Sequence, residues 1–435
     1  MVYDREGFNT NELGHLTIDG VDTVSLAHKY GTPLYVYNVD LIRRNAQAFT
    51  KAFQKHGITG QIAYASKAFS TIAMLQVMKQ EGLSLDVVSV GELHTALKAD
   101  FPVQNIHLHG NNKSTEEISM ALEHNIGCIV IDNFRDIDVL EELLKQKNQH
   151  IDVLIRVTPG VNSATHRYIM TGHEDSKFGF DLHNGQADEA MERLIDHSHI
   201  RIKGLHCHIG SQIFSPDAYV LAADHLFQKL KAWHQRFGYY PEVMNFGGGF
   251  GIQYTKADTP IPFSHYVDAL VKVIDTHVKK LGMPFPEIWL EPGRAIAGNA
   301  GITLYTVGSF KHIPDVRTYL AVDGGMTDNL RPALYDAKYD GIVANKATMD
   351  KTAIVSIAGK CCESGDMLID NLSVASPETG DILAVFSTGA YGYSMANNYN
   401  RFPKAAVVFV ENGKDHLVVR RETLDDIVKH DLSYE

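Results

Sequence analysis

Several short apolar runs of this chain end in residues able to do chemistry: Lys67 in Tyr-Ala-Ser-Lys, His206 and His208 in HCHIGSQ, Gly247-Gly248-Gly249 in NFGGGFG, and Glu291-Pro292-Gly293-Arg294. A lysine at the end of a buried strand costs desolvation unless it has a partner or a task. One such task is a Schiff base with an aldehyde cofactor, for which partial burial lowers the amine pKa. Without that task, the side chain directs its head to solvent, as lysines ordinarily do. A glycine turn after a strand lets backbone N–H groups approach an anion such as phosphate, although many such turns are only tight turns. The run Gly247–Gly251 has neither the G-x-G-x-x-G form of a dinucleotide site nor the Lys-Ser/Thr of a P-loop. Ser211, just past His208, adds a hydroxyl for the same anion.

Glu291 suits a second part of the same chemistry. A carboxylate there can hold a pyridine nitrogen protonated, which makes the ring an electron sink; the other reading is an ion pair with Arg294. His206 and His208 share a strand face and invite a metal, but the sequence offers no evident third ligand. His208 reads better as a flat lid over a flat cofactor, or as a satisfied core histidine.

The elements that must position these groups are legible as a repeat. Apolar, β-branched runs start at Gln61, Leu85, Ile106, Cys128, Ile151, Gly204, Val243 and Glu287, with amphipathic stretches such as Thr71–Gln80, Glu92–Lys98 and Tyr219–Arg236 between them. Eight buried strands with intervening helices predict a (β/α)8 TIM-type barrel in an α/β chain. In such a barrel the strands' C-terminal ends form one mouth, so all the clusters named above converge there. The polar, glycine-containing stretch 159–180 is too long for an idle connection. After Gly301 the texture becomes strands and turns (ITLYTVGSF, TYLAVDGG, KTAIVSIAG, DILAVFST, AAVVFVENG, HLVVRR). This predicts a barrel over 36–298 and an all-β domain over 299–435 that also takes in the strand-like residues 1–35.

The bulk numbers are those of a globular protein: 435 residues, 44% hydrophobic, net charge −12. With no basic stripe, nucleic acid is a poor partner. The four cysteines, Cys128, Cys207, Cys361 and Cys362, form no C-x-x-C pair, which argues against zinc ribbons and for a reducing compartment. The first residues have no apolar h-region and no stretch is apolar for long enough to span a bilayer. The expectation is a cytoplasmic protein without a membrane partner.

Taken together, the segments YASKA, DVVSVGEL, HGNNKS, TGHEDSKFGF, GLHCHIGSQ, NFGGGFG, EPGRAI, VDGGMTDNLRPALYDA, CCESGD and GAYGYSMA resemble the fold-type III pyridoxal-phosphate decarboxylases, most closely their diaminopimelate branch. The resemblance runs over nearly the whole chain, from TPLYVYN to GAYGYSMANNYN. It implies pyridoxal 5'-phosphate as cofactor, with Lys67 as Schiff-base lysine, His208 stacked on the ring and Glu291 on the pyridine nitrogen. Ser211, Gly249, Gly293 and Arg294 would bind the phosphate. Arg294, Arg331 and Tyr335 would hold substrate carboxylate, Glu363 the distal ammonium, and Tyr391 both cofactor and substrate. Cys362 would be the proton donor, and the family's homodimers place Cys362 and Glu363 at the partner's cofactor. The sequence departs from many relatives in reading KAF where they carry asparagine after KA. Its doubled Cys361-Cys362 offers two thiols, of which the one directly before Glu363 matches.

These roles make chemical sense from the residues as well. Arg331 and Tyr335 share a face if the segment turns as a helix. Arg331 and Glu363 offer one charge of each sign to a zwitterionic distal centre, and a thiol can return a proton to a carbanion. The implied reaction converts meso-diaminopimelate to L-lysine, the last step of lysine biosynthesis. Decarboxylation of ornithine, arginine or lysine would not need Arg331, a racemase would set an arginine at the ring nitrogen, and a catalytically silent homologue would be expected to lack Lys67 or Cys362.

Overall fold

The computed structural model describes residues 5–161 and 176–435. Most of the stretch 159–180, singled out above as a long polar connection, therefore lies outside the described residues. The chain divides into two compact units, one comprising Asn45–Gly251 and Pro260–Ala295, the other the described residues up to Arg44 with Ile252–Thr259 and Ile296–Glu435.

The first unit is a closed barrel. Its strands are Gly60–Ala65, Ser84–Val87, Ile106–Leu108, Cys128–Ile131, Ile151–Thr158, Ile200–His206, Val243–Asn245 and Glu287–Leu290, paired in parallel in chain order. The last strand pairs with the first (Ile288↔Gly60), which closes the ring. A short ninth strand, Phe180–Asp181, lies parallel to the fifth. The βα loops end in residues that accept from the next helix's free N–H groups: Thr71, Ser89, Ser114 and Asn133 cap the helices after the first four strands. Each such cap contributes about 1 kcal/mol.

Strand alternation explains where the barrel becomes polar. A buried cluster of Cys128, Val130, Leu154, Val243 and Trp289 draws on the fourth, fifth, seventh and eighth strands, so it fills the barrel interior. Side chains two residues on share that face. Continuing from Val130, Leu154, Val243 and Trp289 gives Asp132, Arg156, Asn245 and Glu291, all buried. An apolar plug thus passes into a polar layer at the strands' C-terminal ends.

The second unit is a β-domain. Its main sheet runs Met367–Val374, Ala353–Ala358, Arg317–Val322, Gly301–Ile313, Leu34–Asn38, Ala406–Glu411 and Lys414–Val419, with Ile382–Phe386 and Gly341–Val343 joined beside it. The N-terminal strand Leu34–Asn38 sits inside this sheet, antiparallel to Gly301–Ile313 and parallel to Ala406–Glu411. The earlier residues are not simply strand-like: a three-stranded sheet (Phe8–Thr10, Leu16–Ile18, Val21–Asp22) leads into a helix, Thr23–Tyr30, capped by Asp22. The helix buries Val24, Leu26 and Ala27 in the domain core, and that tertiary packing outweighs the β-branched composition at its start.

Candidate active site

Lys67 does not lie on the first strand but on the 3-10 turn Ser66–Ala68 that follows it. Ser66 and Ala68 are buried while Lys67 is exposed, so the expected partial burial of the amine is not found. The turn is braced: Ser66 Oγ donates to Glu92 Oε2 at 2.6 Å, and the same oxygen accepts from Val88 N at 2.8 Å. Burial pushes the Glu92 carboxyl up, and these two hydrogen bonds pull against it.

The glycine turn packs too closely for side chains. A Cβ at Gly248 would lie 2.1 Å from the Glu291 carbonyl oxygen, and one at Gly249 (φ +103°) 2.3 Å from that of Gly210. Gly248 N donates to His208 Nδ1 at 3.1 Å. His208 is half-buried, and desolvation, aided by the Lys67 and Arg156 cations, holds its pKa well below the usual imidazole value. Ser211 Oγ accepts from the Arg294 guanidinium at 2.9 Å, and Gly293 packs against Ala65 and Ala68 beside Lys67.

Glu291 is buried, and its partners differ from those read in the sequence. Asn245 Nδ2 donates to Oε1 at 2.6 Å and His206 Nε2 meets Oε2 at 3.1 Å. His109 Nε2 lies 3.4 Å from Glu291 and 3.4 Å from Asp86. Burial and Asp86 raise the Glu291 pKa, but the imidazoles of His206 and His109 and the hydrogen bond from His206 lower it further, below the carboxylate norm. The third group missing from the His206/His208 pair is thus present, but it joins His206: ligand atoms of His109, His206 and Glu291 lie within 4.8 Å of one another. With Asn245 on the same carboxylate, the contacts read as a hydrogen-bonded network around Glu291.

Asn245 and Arg156 were missed in the sequence, and Asp86 and His109, which stand in the segments DVVSVGEL and HGNNKS, were given no role there. Their signal was a polar residue at an inward position of an otherwise apolar strand. Arg156 lies 3.6 Å from Asp132 and over the Phe178 ring, and Gly179 N donates to Asp132 at 2.9 Å.

In the β-domain, Arg331 and Tyr335 do fall on one helix, Arg331–Tyr335. Arg331 is buried, donates to the Tyr339 hydroxyl at 2.6 Å and lies over the rings of Tyr254 and Tyr339. Cys362 and Glu363 are exposed, whereas Cys361 is buried. Tyr391 takes a left-handed backbone (φ +60°), uncommon for a bulky residue and costing of order 1–3 kcal/mol.

The donor set of the barrel fits pyridoxal phosphate. Lys67 would offer its amine to the aldehyde, Glu291 an anchored carboxylate to the ring nitrogen, and His208 a flat face. The glycine turn, which a Cβ would fill, and the Ser211–Arg294 pair suit the phosphate.

Comparison with known proteins agrees. The pattern described as pyridoxal-dependent decarboxylase, pyridoxal binding domain, matches residues 39–298. The diaminopimelate decarboxylase of Bacillus subtilis is 58% identical over 98% of this chain and 97% of its own. The crystal structure of diaminopimelate decarboxylase from M. jannaschii in co-complex with L-lysine superposes with a TM-score of 0.92 at 33% identity, covering 99% of this chain and 98% of that one. A lysine/ornithine decarboxylase from Vibrio vulnificus, complexed with putrescine, shares the fold at a TM-score of 0.74 with 21% identity, covering 90% of this chain and 99% of that one. With the barrel, the cofactor donors and these relatives in agreement, the chain belongs to the pyridoxal-phosphate-dependent decarboxylases, in the family of the diaminopimelate decarboxylases.

Proposed function

We propose that this chain removes one carboxylate from meso-diaminopimelate and releases L-lysine, the last step of lysine biosynthesis, as a cytoplasmic homodimer with shared active sites. The observation that carries the reading is that Lys67, the Gly247–Gly249 turn and Glu291 close the first, seventh and eighth strands of one barrel. When bound, pyridoxal phosphate supplies the electron sink for the pair left by carbon dioxide.

The chain's own residues do the rest. Lys67 would hold the cofactor through its aldehyde. Ser211, Gly249, Gly293 and Arg294 would bind the phosphate, His208 would face the ring, and Glu291 would keep the ring nitrogen protonated. Arg294, Arg331 and Tyr335 take substrate carboxylate, the aromatic surround of Arg331 keeping its guanidinium desolvated and directed. Tyr391 would touch cofactor and substrate, and Cys362 and Glu363 would act at the partner's cofactor, Glu363 taking the distal ammonium and Cys362 returning a proton to the α-carbon. His208 contributes as a neutral ring, consistent with its lowered pKa.

The test is carbon dioxide release by the purified protein from meso-diaminopimelate, ornithine, arginine and lysine side by side, with the cofactor absorbance recorded. Diaminopimelate should be the preferred substrate, and Lys67→Ala should lose both turnover and the lysine-bound absorbance. Equal turnover of ornithine would overturn the substrate assignment.

A further inference from the structure

Asn245, absent from the roles above, is 1% exposed and has both ends of its amide engaged. Its Nδ2 donates to Glu291 Oε1 at 2.6 Å, and its Oδ1 accepts from Gly247 N at 2.9 Å. Gly247 completes a ring, because its carbonyl accepts from Glu291 N at 2.8 Å. The amide orientation follows: turned over, it would set its NH2 against an N–H and its oxygen against a carboxylate. On the other carboxylate oxygen sits His206 Nε2 at 3.1 Å, from a histidine 1% exposed whose Nδ1 has no hydrogen-bond partner among the described residues. A carboxylate only accepts, so Nε2 carries the proton and His206 is a donor.

We propose that Asn245 and His206 are positioning residues that set the Glu291 carboxylate for the cofactor's ring nitrogen, and that Asn245 couples this carboxylate to the glycine turn that holds the phosphate. The inference rests on the reading of Glu291 as the ring-nitrogen partner. A free glutamate side chain has rotamers to lose; donors on both oxygens, projecting from the sixth and seventh strands, remove them before the cofactor arrives. Through Gly247, the groups that would meet the ring nitrogen and the phosphate are fixed as one piece. His109, at 3.4 Å from Glu291, is the weaker contact and is not assigned the role.

The test uses the full-length protein, measuring the affinity of the cofactor-free form for pyridoxal 5'-phosphate and for pyridoxal, the absorbance spectrum of the bound cofactor, and kcat and KM. Asn245→Leu should weaken pyridoxal 5'-phosphate binding by roughly tenfold or more, the effect of one charge-assisted hydrogen bond, and lower kcat more than it raises KM. Its loss should be larger for pyridoxal 5'-phosphate than for pyridoxal, because only the former uses the turn. His206→Leu should weaken both ligands alike, and His206→Gln, which keeps an amide donor, should recover most of that loss.

Equal losses for the two ligands in Asn245→Leu would overturn the coupling. His206→Gln as impaired as His206→Leu would overturn the donor role of His206 and leave it a packing residue. Should Asn245→Leu fail to fold, Asn245→Ser puts the same two-ligand comparison to the protein. Glu291→Gln separates the underlying reading: an unchanged cofactor spectrum and kcat there would remove Glu291 from the ring nitrogen.

Discussion

Cys361 and Cys362 adjoin in sequence and sit in opposite surroundings. Cys361 is buried, its backbone N–H donates to Asp366 at 2.8 Å, and burial with the nearby Asp366 charge pushes its thiol pKa up to about 11. Cys362 is exposed, and its backbone N–H donates to Asn400 Oδ1 at 2.7 Å. A thiol that must approach a substrate carbon needs access, so Cys362 is the one to assign. Cys362→Ala is expected to lower kcat by roughly 10²–10⁴, the usual worth of a positioned general acid, while Cys361→Ala keeps kcat within a few-fold and lowers the melting temperature. Steady-state kinetics on both variants decide it, and the reverse pattern would reassign the proton donor. In the sequence the family match favours the thiol directly before Glu363; burial, which depends on where Asp366 folds back, is a second and independent reason for the same choice.

At the scale of elements, what the sequence revealed was periodic and what it concealed was contact. The eight strands were legible because each is a short apolar run closed by a polar or glycine residue, and the helices between them because their caps and stripes are local. The 3-10 turn under Lys67 was not, since Ser66 is fixed by Glu92, 26 residues on. Nor was the ring through Asn245, which closes through Glu291, 46 residues on and just past the eighth strand. The helix Thr23–Tyr30 was hidden because its apolar face is completed by distant β-domain residues. Lys113 is of the same kind. Nominally a polar loop residue in HGNNKS, it is 2% exposed and donates to Asp136 Oδ2 at 2.6 Å and Gly110 O at 2.7 Å, pinning the third βα loop to the helix after the fourth strand. Burial drives the two pKa values toward each other, Lys113 down and Asp136 up. Lys113→Met strands a buried carboxylate and should destabilise the fold by about 3–5 kcal/mol. The double variant Lys113→Met/Asp136→Leu should recover much of that in urea denaturation, and a double variant as unstable as the sum of both singles would show that the pair is not the cause.

For the whole molecule, the buried histidines set a pH limit. Desolvation holds the His109 pKa well below the ordinary 6.5, with Glu291 opposing and the His206 and Arg156 charges adding to the effect. The folded state therefore binds fewer protons than the unfolded chain, and this contribution is intact above 6.5 and lost as pH falls below it, at about 1.4 kcal/mol per pH unit. Asp328 works in the opposite sense: burial raises it to about 7, so its effect on stability is unfavourable above that value and disappears toward 3.8. The two effects oppose each other, so the test is a comparison: between pH 7.5 and pH 5.5 the cofactor-free His109→Gln variant should lose less melting temperature, or gain more, than the cofactor-free native protein, and an identical pH dependence in the two would exclude His109 as a contributor. The proposed homodimer has its own test. Lys67→Ala and Cys362→Ala, each inactive alone, should regain roughly a quarter of the native activity when unfolded, mixed and refolded together, because half of the randomly formed dimers would hold one intact site. No recovery would place Lys67 and Cys362 in the same protomer's site.

The ring joining Asn245, Gly247 and Glu291 also has a consequence for synthesis. The chain leaves the ribosome N-terminus first and domains fold as they emerge. Lys67 appears early, yet the carboxylate proposed to orient the ring stands at the end of the last barrel strand, and its donors stand on the two strands before it. Leu34–Asn38 waits longer still, for Gly301–Ile313 and Ala406–Glu411. A nascent chain can expose the reactive lysine long before it can hold a cofactor correctly, so capture of the cofactor belongs to the completed polypeptide.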